Sequence, residues 1–566
     1  MTIIPSVFVL LLLILSGSGD ALSVVHITDV HIDPFYVTGS PTTQGCYCET
    51  HDSCARMPLS CAVGAAPFNE SAPPFGAPEG NCATPPALWE GAMSALSDSV
   101  GYNHTDFAIF TGDFGEAGMS APCASTQPAE IAITTNIARA MTSVRGALGG
   151  SVKVYGVLGN HDTAPGDVFD GSDEMAWLYS SLVSSFGDDF AHDESALASL
   201  LCCGWYSTPS PVSGLRIVAL NTNYWTELNP LLRNISSPAS LLGNKQLDWL
   251  NQTLATATEN NEIVWILAHI PPVSWVDGRY DAFRTILTLY KNTVAAEFFG
   301  HDHVDEFFIV RECIPTSSPP NNKTTQWVET TGVNWCSGGN WNCGDVFGAG
   351  LMSGELYCPL LPSSLTPSQG VIACESICGN SSICEGFTYY PQASPNGACC
   401  MRTNCDSKPL NASSSAVCYE KAHNNDEPCM TGENYTKPLH MAFVGPSMTE
   451  GYPPSNPALR RYDVADVSGQ FAVTDFTTYF ANLTRANANW ELEFEVEYVA
   501  KAQYQLPDLS ANSFEALATR MAVNGSSAWD SFFSNHYKSY RGPSLPVCNS
   551  GTCKDDLLQM INGTNY

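Results

Sequence analysis

Six short apolar runs, 24–28, 107–111, 152–158, 215–220, 263–268 and 295–299, recur through residues 23 to 310, and the segments between them carry apolar residues at helical spacing. Runs of that length bounded by turn residues read as buried strands, and the segments 87–100, 129–148, 244–257 and 282–291 read as amphipathic helices. Strand and helix in alternation predict a layered α/β domain. In such folds the carboxyl ends of the strands share one edge, where loops converge and ligands collect.

The polar residues fall at that edge. Asp29 and His31 follow the first run, Asp113 the second, Asn160 and His161 the third, His269 the fifth, and His301 and His303 the last. In Asp29-Val30-His31 the i and i+2 side chains leave an extended chain on the same side and can share a cation, and in His301-Asp302-His303 the two imidazoles likewise aim one way. Gly112-Asp113 offers a carboxylate able to bridge two cations. Gly159-Asn160-His161-Asp162 offers a neutral oxygen ligand followed by an imidazole, and both turns are led by a glycine that permits close approach. Each motif alone has a plain explanation as a cap, a surface histidine or a turn. Together they place five of the 12 histidines at strand ends, in an order that packing does not require. Two closely spaced cations in such a cage suit phosphate ester hydrolysis, because they activate water, offset phosphoryl charge and orient in-line attack. The mixed nitrogen and oxygen donors favour two Zn2+ over magnesium, with iron or manganese as the alternatives.

Acidic residues outnumber basic ones 56 to 24, for a formal charge of -32. That surface repels polymeric nucleic acid and suits an acidic compartment, where protonation relieves self-repulsion. The apolar start, followed by Ser16, Gly17, Ser18 and Gly19, has the order of a signal peptide cleaved near Gly19 or Ala21, although a basic start is missing. Its run of about 13 apolar residues is shorter than the roughly 20 that span a bilayer, and 557–566 is too polar for a lipid-anchor signal. The expectation is therefore no transmembrane segment and a protein that is secreted or delivered to a lysosome- or vacuole-like acidic compartment. In that setting the 22 cysteines read as disulfides rather than zinc knuckles. Sequons at Asn69, Asn103, Asn234, Asn251, Asn411, Asn434, Asn482 and Asn524 fit a glycosylated surface.

From Cys313 to about Pro438 cysteine, glycine, proline and serine replace the alternation, and apolar strand patterns return at 441–444 and 461–464. The cysteine-rich part is thus inserted rather than appended. The expected organisation is a signal peptide (1–21), a catalytic domain in two parts (22–312 and 438–486), an insert (313–437), and a C-terminal subdomain (487–566) of helices closed by Cys548 and Cys553.

The segments His26-Ile27-Thr28-Asp29-Val30-His31-Ile32-Asp33, Leu220-Asn221-Thr222-Asn223-Tyr224-Trp225, Ala268-His269-Ile270-Pro271-Pro272 and Phe299-Gly300-His301-Asp302-His303 carry a specific resemblance. With Phe443-Val444-Gly445-Pro446-Ser447 and Asn456-Pro457-Ala458-Leu459-Arg460, the chain resembles the calcineurin-like metallophosphoesterases, in particular the acid sphingomyelinase and sphingomyelinase-like phosphodiesterase branch. The resemblance implies an α/β fold: a β-sandwich flanked by helices, an inserted disulfide-rich module and a small helical C-terminal subdomain. It implies that Asp29, His31, Asp113 and His303 hold one zinc, and Asp113, Asn160, His269 and His301 the other. His161 matches the histidine that contacts the phosphoryl group and helps protonate the leaving oxygen, and Asn223 and Tyr452 are read as substrate-binding. The implied substrates are small phosphodiesters, sphingomyelin or phosphocholine-type or nucleotide.

Two departures qualify that picture. The family's second catalytic histidine, four residues after the bridging aspartate, is Ala117 here, with Glu116 beside it. Either Glu116 or His161 alone supplies the proton, or the leaving group needs less acid help, or activity is reduced. Only the signal precedes Ser23, so no saposin-like lipid-presenting module is expected. Cysteines 374, 378, 384, 399, 400 and 418 resemble a PAN/apple module near 345–425, which could bind a glycan or protein or serve only as a stapled decoration. An acid phosphomonoesterase on the same cage, and a pseudoenzyme or adhesion protein acting through the insert, are the alternatives.

Overall fold

The computed structural model describes residues 22–34, 36–42, 46, 71–80, 82–100, 104–115, 127–190, 193–234, 237–313, 437–465, 470–548 and 551–564, with four short strands of the insert. The signal segment, Glu116, Ala117, Cys374, Cys378, Cys384 and four sequons (Asn69, Asn103, Asn411 and Asn434) lie outside the described residues.

Among the described residues the strands are β1 (Leu22–Ile27), β2 (Phe107–Phe110), β3 (Lys153–Gly156), β4 (Tyr206–Pro209), β5 (Leu215–Ala219), β6 (Ile263–Leu267), β7 (Val294–Phe299), β8 (Glu306–Arg311), then β9 (Trp327–Thr330), β10 (Gly386–Tyr390), β11 (Ala398–Arg402) and β12 (Val417–Lys421) in the insert, and β13 (Pro438–Val444), β14 (Ala458–Ala465), β15 (Ala472–Ala481) and β16 (Phe494–Val499). They form two mixed six-stranded sheets, in the orders β16-β15-β14-β1-β2-β3 and β4-β5-β6-β7-β13-β8. Strands β1, β2 and β3 run parallel in the first, and β5, β6, β7 and β13 in the second. Strands β14, β15 and β16 of the first sheet and β4 and β8 of the second join antiparallel.

The sheets face one another because their strands are apolar on the inner side. Trp265 and Phe298 of the second sheet meet Phe107 and Tyr462 of the first, with Phe107–Trp265 and Phe298–Tyr462 centroids 5.8 and 5.1 Å apart. Each such side chain, fully buried, stabilises the fold by roughly 1.5–3 kcal/mol. Helices cover the outer faces, among them Pro86–Ala95, Gln127–Ala147, Pro238–Glu259 and Arg279–Leu289. Helices Ala176–Phe186 and Glu194–Cys203, which periodicity alone leaves unassigned, add to this layer, the second capped by Asp193, whose carboxylate accepts Ala196 N–H at 3.0 Å.

The insert enters and leaves through adjacent residues, since Glu312 N–H donates to the Lys437 carbonyl at 2.9 Å and β13 pairs antiparallel with β8. Its four strands make a separate sheet in the order β11-β10-β12-β9. Residues 487–566 do contain helices, Ala511–Ala522, Ser527–His536 and Thr552–Ile561, and the Cys548–Cys553 disulfide. They also supply β16, an edge strand paired with β15, because Phe494-Glu495-Val496-Glu497-Tyr498 alternates at strand period.

Candidate metal centre

Strands β1, β2, β3, β6 and β7 end at one edge, and the chain turns sharply after β1, β2 and β7. Asp29, His31, Asp113, His301 and His303 all have positive φ, between 43° and 76°. Asp and His tolerate this left-handed region better than most residues, and the sharp turns aim their side chains back across the strand ends. Glycine makes room for the convergence: a Cβ on Gly159 would lie 2.0 Å from Asp113 Oδ1, and one on Gly112 2.5 Å from Gly159 N.

Three imidazoles have their tautomer fixed by a carbonyl, which can only accept. His31 Nδ1–H donates to Gly115 O at 2.8 Å, His269 Nδ1–H to Thr111 O at 2.5 Å, and His303 Nδ1–H to Gly451 O at 3.1 Å. Their Nε2 atoms therefore point inward. Two of these, on His31 and His303, face each other at 3.0 Å, and nitrogens so placed repel unless a proton or a metal cation lies between them. Asp113 Oδ2 stands 3.3 Å from His31 Nε2 and 3.2 Å from His269 Nε2, is buried, and has no hydrogen-bond partner. Asn160 Oδ1 faces His269 Nε2 at 3.0 Å and His301 Nδ1 at 2.9 Å, while its Nδ2 donates to Asp167 at 2.8 Å, which fixes the amide orientation.

Donor atoms of Asp29, His31, Asp113 and His303 all lie within 4.8 Å of one another, as do those of Asp113, His269 and His301, and Asp113 belongs to both groups. Nitrogen and oxygen donors, an orphaned buried carboxylate oxygen and opposed imidazole nitrogens fit a pair of divalent cations. The charges agree. Burial pushes His31 and His301 down to about 3, so both are neutral ligands. Burial alone would lower His269 too, but the Asp113 and Asp29 carboxylates override it and push it up to about 10, so without a cation its Nε2 carries a proton that a bound cation would displace. Against the cost of their own burial, the imidazoles around Asp29 and Asp113 hold both carboxyls below the usual range.

Comparison with known proteins agrees with this geometry. The calcineurin-like phosphoesterase family matches residues 22–305, and the acid sphingomyelin phosphodiesterase C-terminal region matches 438–562. The chain belongs to the calcineurin-like phosphoesterases. It is 29% identical over 292 residues to the human sphingomyelin phosphodiesterase, covering 50% of this chain and 42% of that protein. It is 24% identical over 545 residues to sphingomyelin phosphodiesterase 2 of Caenorhabditis elegans (91% and 65%), and 28% over 312 residues to the human cyclic GMP-AMP phosphodiesterase SMPDL3A (52% and 60%). The chain thus spans less than two thirds of the length of these relatives.

The other expected residues of this phosphoesterase fall in different places. His161 is half-buried beside the cage, its ring 5.3 Å from that of His31, with its backbone N–H on Asp113 Oδ1 at 2.8 Å and its Nδ1 without a partner. Tyr452 is 67% exposed on the loop after β13, next to the Gly451 carbonyl that fixes His303. Asn223 is buried behind the cage, donating to Leu158 O at 3.2 Å and Asn221 Oδ1 at 2.9 Å. Sequence reasoning gave no role to Asp162, whose carboxylate accepts the N–H groups of Asp113, Phe114 and Gly159 at 2.8–2.9 Å and ties the second and third loops together. Its place directly after Asn160 and His161 was the available signal. Among the described residues no helix is long and apolar enough to cross a membrane.

Proposed function

We propose that this phosphoesterase is a secreted two-zinc phosphodiesterase acting on small phosphodiesters or phosphoanhydrides, with sphingomyelin or phosphocholine-type and nucleotide substrates the classes to test. The observation that carries it is Asp113 Oδ2, orphaned and about equally far from His31 Nε2 and His269 Nε2, where one carboxylate oxygen could serve a cation on either side. Zinc ions in the cage would supply charge neutralisation and an activated water. The names of the relatives support diesters, and the donor set supports zinc.

The chain's own residues do the rest. Asp29, His31, Asp113 and His303 hold one side of the cage, and Asp113, Asn160, His269 and His301 the other. His161 stands where it can contact the phosphoryl group and protonate the leaving oxygen. Tyr452 offers an exposed ring at the mouth for the substrate's leaving group, whereas Asn223 acts through the loop of Gly159. Glu116 is the second acid to test, because Ala117 offers no proton.

Hydrolysis of bis-p-nitrophenyl phosphate, CDP-choline, ATP, sphingomyelin and a phosphomonoester, at pH 5 and pH 7, tests the proposal. Diester turnover lost in Asp113→Ala and Asn160→Ala, and reduced on the order of 10²-fold or more in His161→Ala, is the expected result. Full activity of Asp113→Ala, or a preference for the monoester, would contradict it.

A further inference from the structure

Lys538 follows the helix Ser527–His536 and is fully buried, with 0% exposure. Its ammonium has no carboxylate within ion-pair distance among the described residues. All three of its donors go to neutral oxygens of two loops: the His303 carbonyl at 3.0 Å, the Ser447 carbonyl at 3.2 Å and the Ser447 hydroxyl at 2.6 Å. Burying an ammonium without a counter-ion is costly, so the fold retains it only where the bonds it makes are all satisfied. Lys538 and the following Ser539 also hold positive φ, 51° and 55°, and this strained backbone delivers the side chain to that spot.

The two loops it joins border the same side of the cage. His303 is at positive φ, with its ring fixed by Gly451 O. The stretch beginning at Ser447 places Met448 N–H on Thr28 O and Thr449 N–H on Asp29 O, at 3.1 and 2.9 Å. The Ser447 hydroxyl, receiving from Lys538, passes its own hydrogen to His303 O or Thr449 O. The His269 and His301 side of the cage has no such contact with Lys538.

We propose that Lys538 is a positioning residue for one metal of the pair: through the His303 carbonyl and Ser447 it holds His303 and Asp29 in register, and its removal releases the cation on that side first. The assignment rests on the two-cation reading of the cage. It gives the C-terminal helical region a defined part in metal binding, although that region supplies no ligand.

The test is the metal content of the purified full-length chain after dialysis against limiting zinc, together with the visible spectrum of the cobalt-substituted protein. Three variants are compared with wild type: Lys538→Met, which keeps the stem and removes the donors, Ser447→Ala, and Lys554→Met. Lys554 is a second buried lysine of the same region, donating to Val523 O at 3.3 Å away from the cage, and controls for general loosening. The expected result is a fall from two metals per chain to one in Lys538→Met, a smaller loss from the same side in Ser447→Ala, two retained in Lys554→Met, and a 10–100-fold weaker affinity at the affected site. Two metals in Lys538→Met with an unchanged cobalt spectrum would overturn the assignment. If Lys538→Met does not fold, undiminished metal content in Ser447→Ala overturns it. A wild-type chain that binds no metal would remove the cage reading, and this assignment with it.

Discussion

Five of the seven cage residues sit at positive φ, a backbone that costs of order 1–3 kcal/mol at each position and persists only where its surroundings fix it. Asp162 is one such fixture, and Gly159 another. Replacing Gly159 with alanine drives a Cβ into Asp113 Oδ1, so Gly159→Ala should weaken metal binding at both sites while circular dichroism stays unchanged. Asp162→Asn keeps the size but turns an amide N–H toward backbone donors. It should cost about 1–3 kcal/mol in denaturant unfolding and 10–100-fold in metal affinity. The gathering of the candidate cage residues at successive strand ends was legible in the sequence, because each follows an apolar run. The left-handed backbones, the carbonyls that set three tautomers and the part of Asp162 were not. They depend on partners such as Gly115 and Asp113, 84 and 49 residues away in the chain.

At the scale of elements, the loop after β13 and the joints between strands carry buried charge. Asp305 pairs with Arg460 and accepts from Thr478 and Tyr498 at 3.0 and 2.9 Å, with the guanidinium over the Phe476 ring. Asp305→Ala leaves that guanidinium buried and unpaired, and about 3–5 kcal/mol should be lost in equilibrium unfolding. Glu450 has no counter-ion at bonding distance among the described residues. Burial pushes its carboxyl up to about 8, against the pull of the Ala77 N–H and of Lys538. A carboxyl whose folded pKa is raised favours folding in its neutral form. Its contribution is fully present below about pH 4.3 and is lost as pH rises through about 8. Melting temperatures across that window should fall more steeply for wild type than for Glu450→Gln, and parallel curves would contradict the assignment. Strands β1 to β3, β5 to β7, β13 and β14 and the four predicted helices were readable from period and apolar runs. Strands β4, β8 and β16 were not, because short edge segments with polar residues gain strand character only from the neighbour they pair with.

For the whole molecule, a cation pair bound only by the folded chain adds stability by mass action. Chelation should lower the melting temperature and stop turnover together, and zinc should restore both. Reversal of turnover alone would mean that the metals do not couple to folding. The layered α/β core and the edge that bears the cage followed from the strand pattern, and the sandwich from the family resemblance. What the sequence left open was how the cysteines pair: Cys46 reaches Cys82, and Cys202 joins its neighbour Cys203, contacts that depend on loop paths rather than spacing. The most direct test of the central claim is anomalous scattering at the zinc edge from crystals of the full-length protein. Two peaks roughly 3.5–4 Å apart, with Asp113 between them, are predicted. A single peak, or peaks away from Asp113, would contradict it.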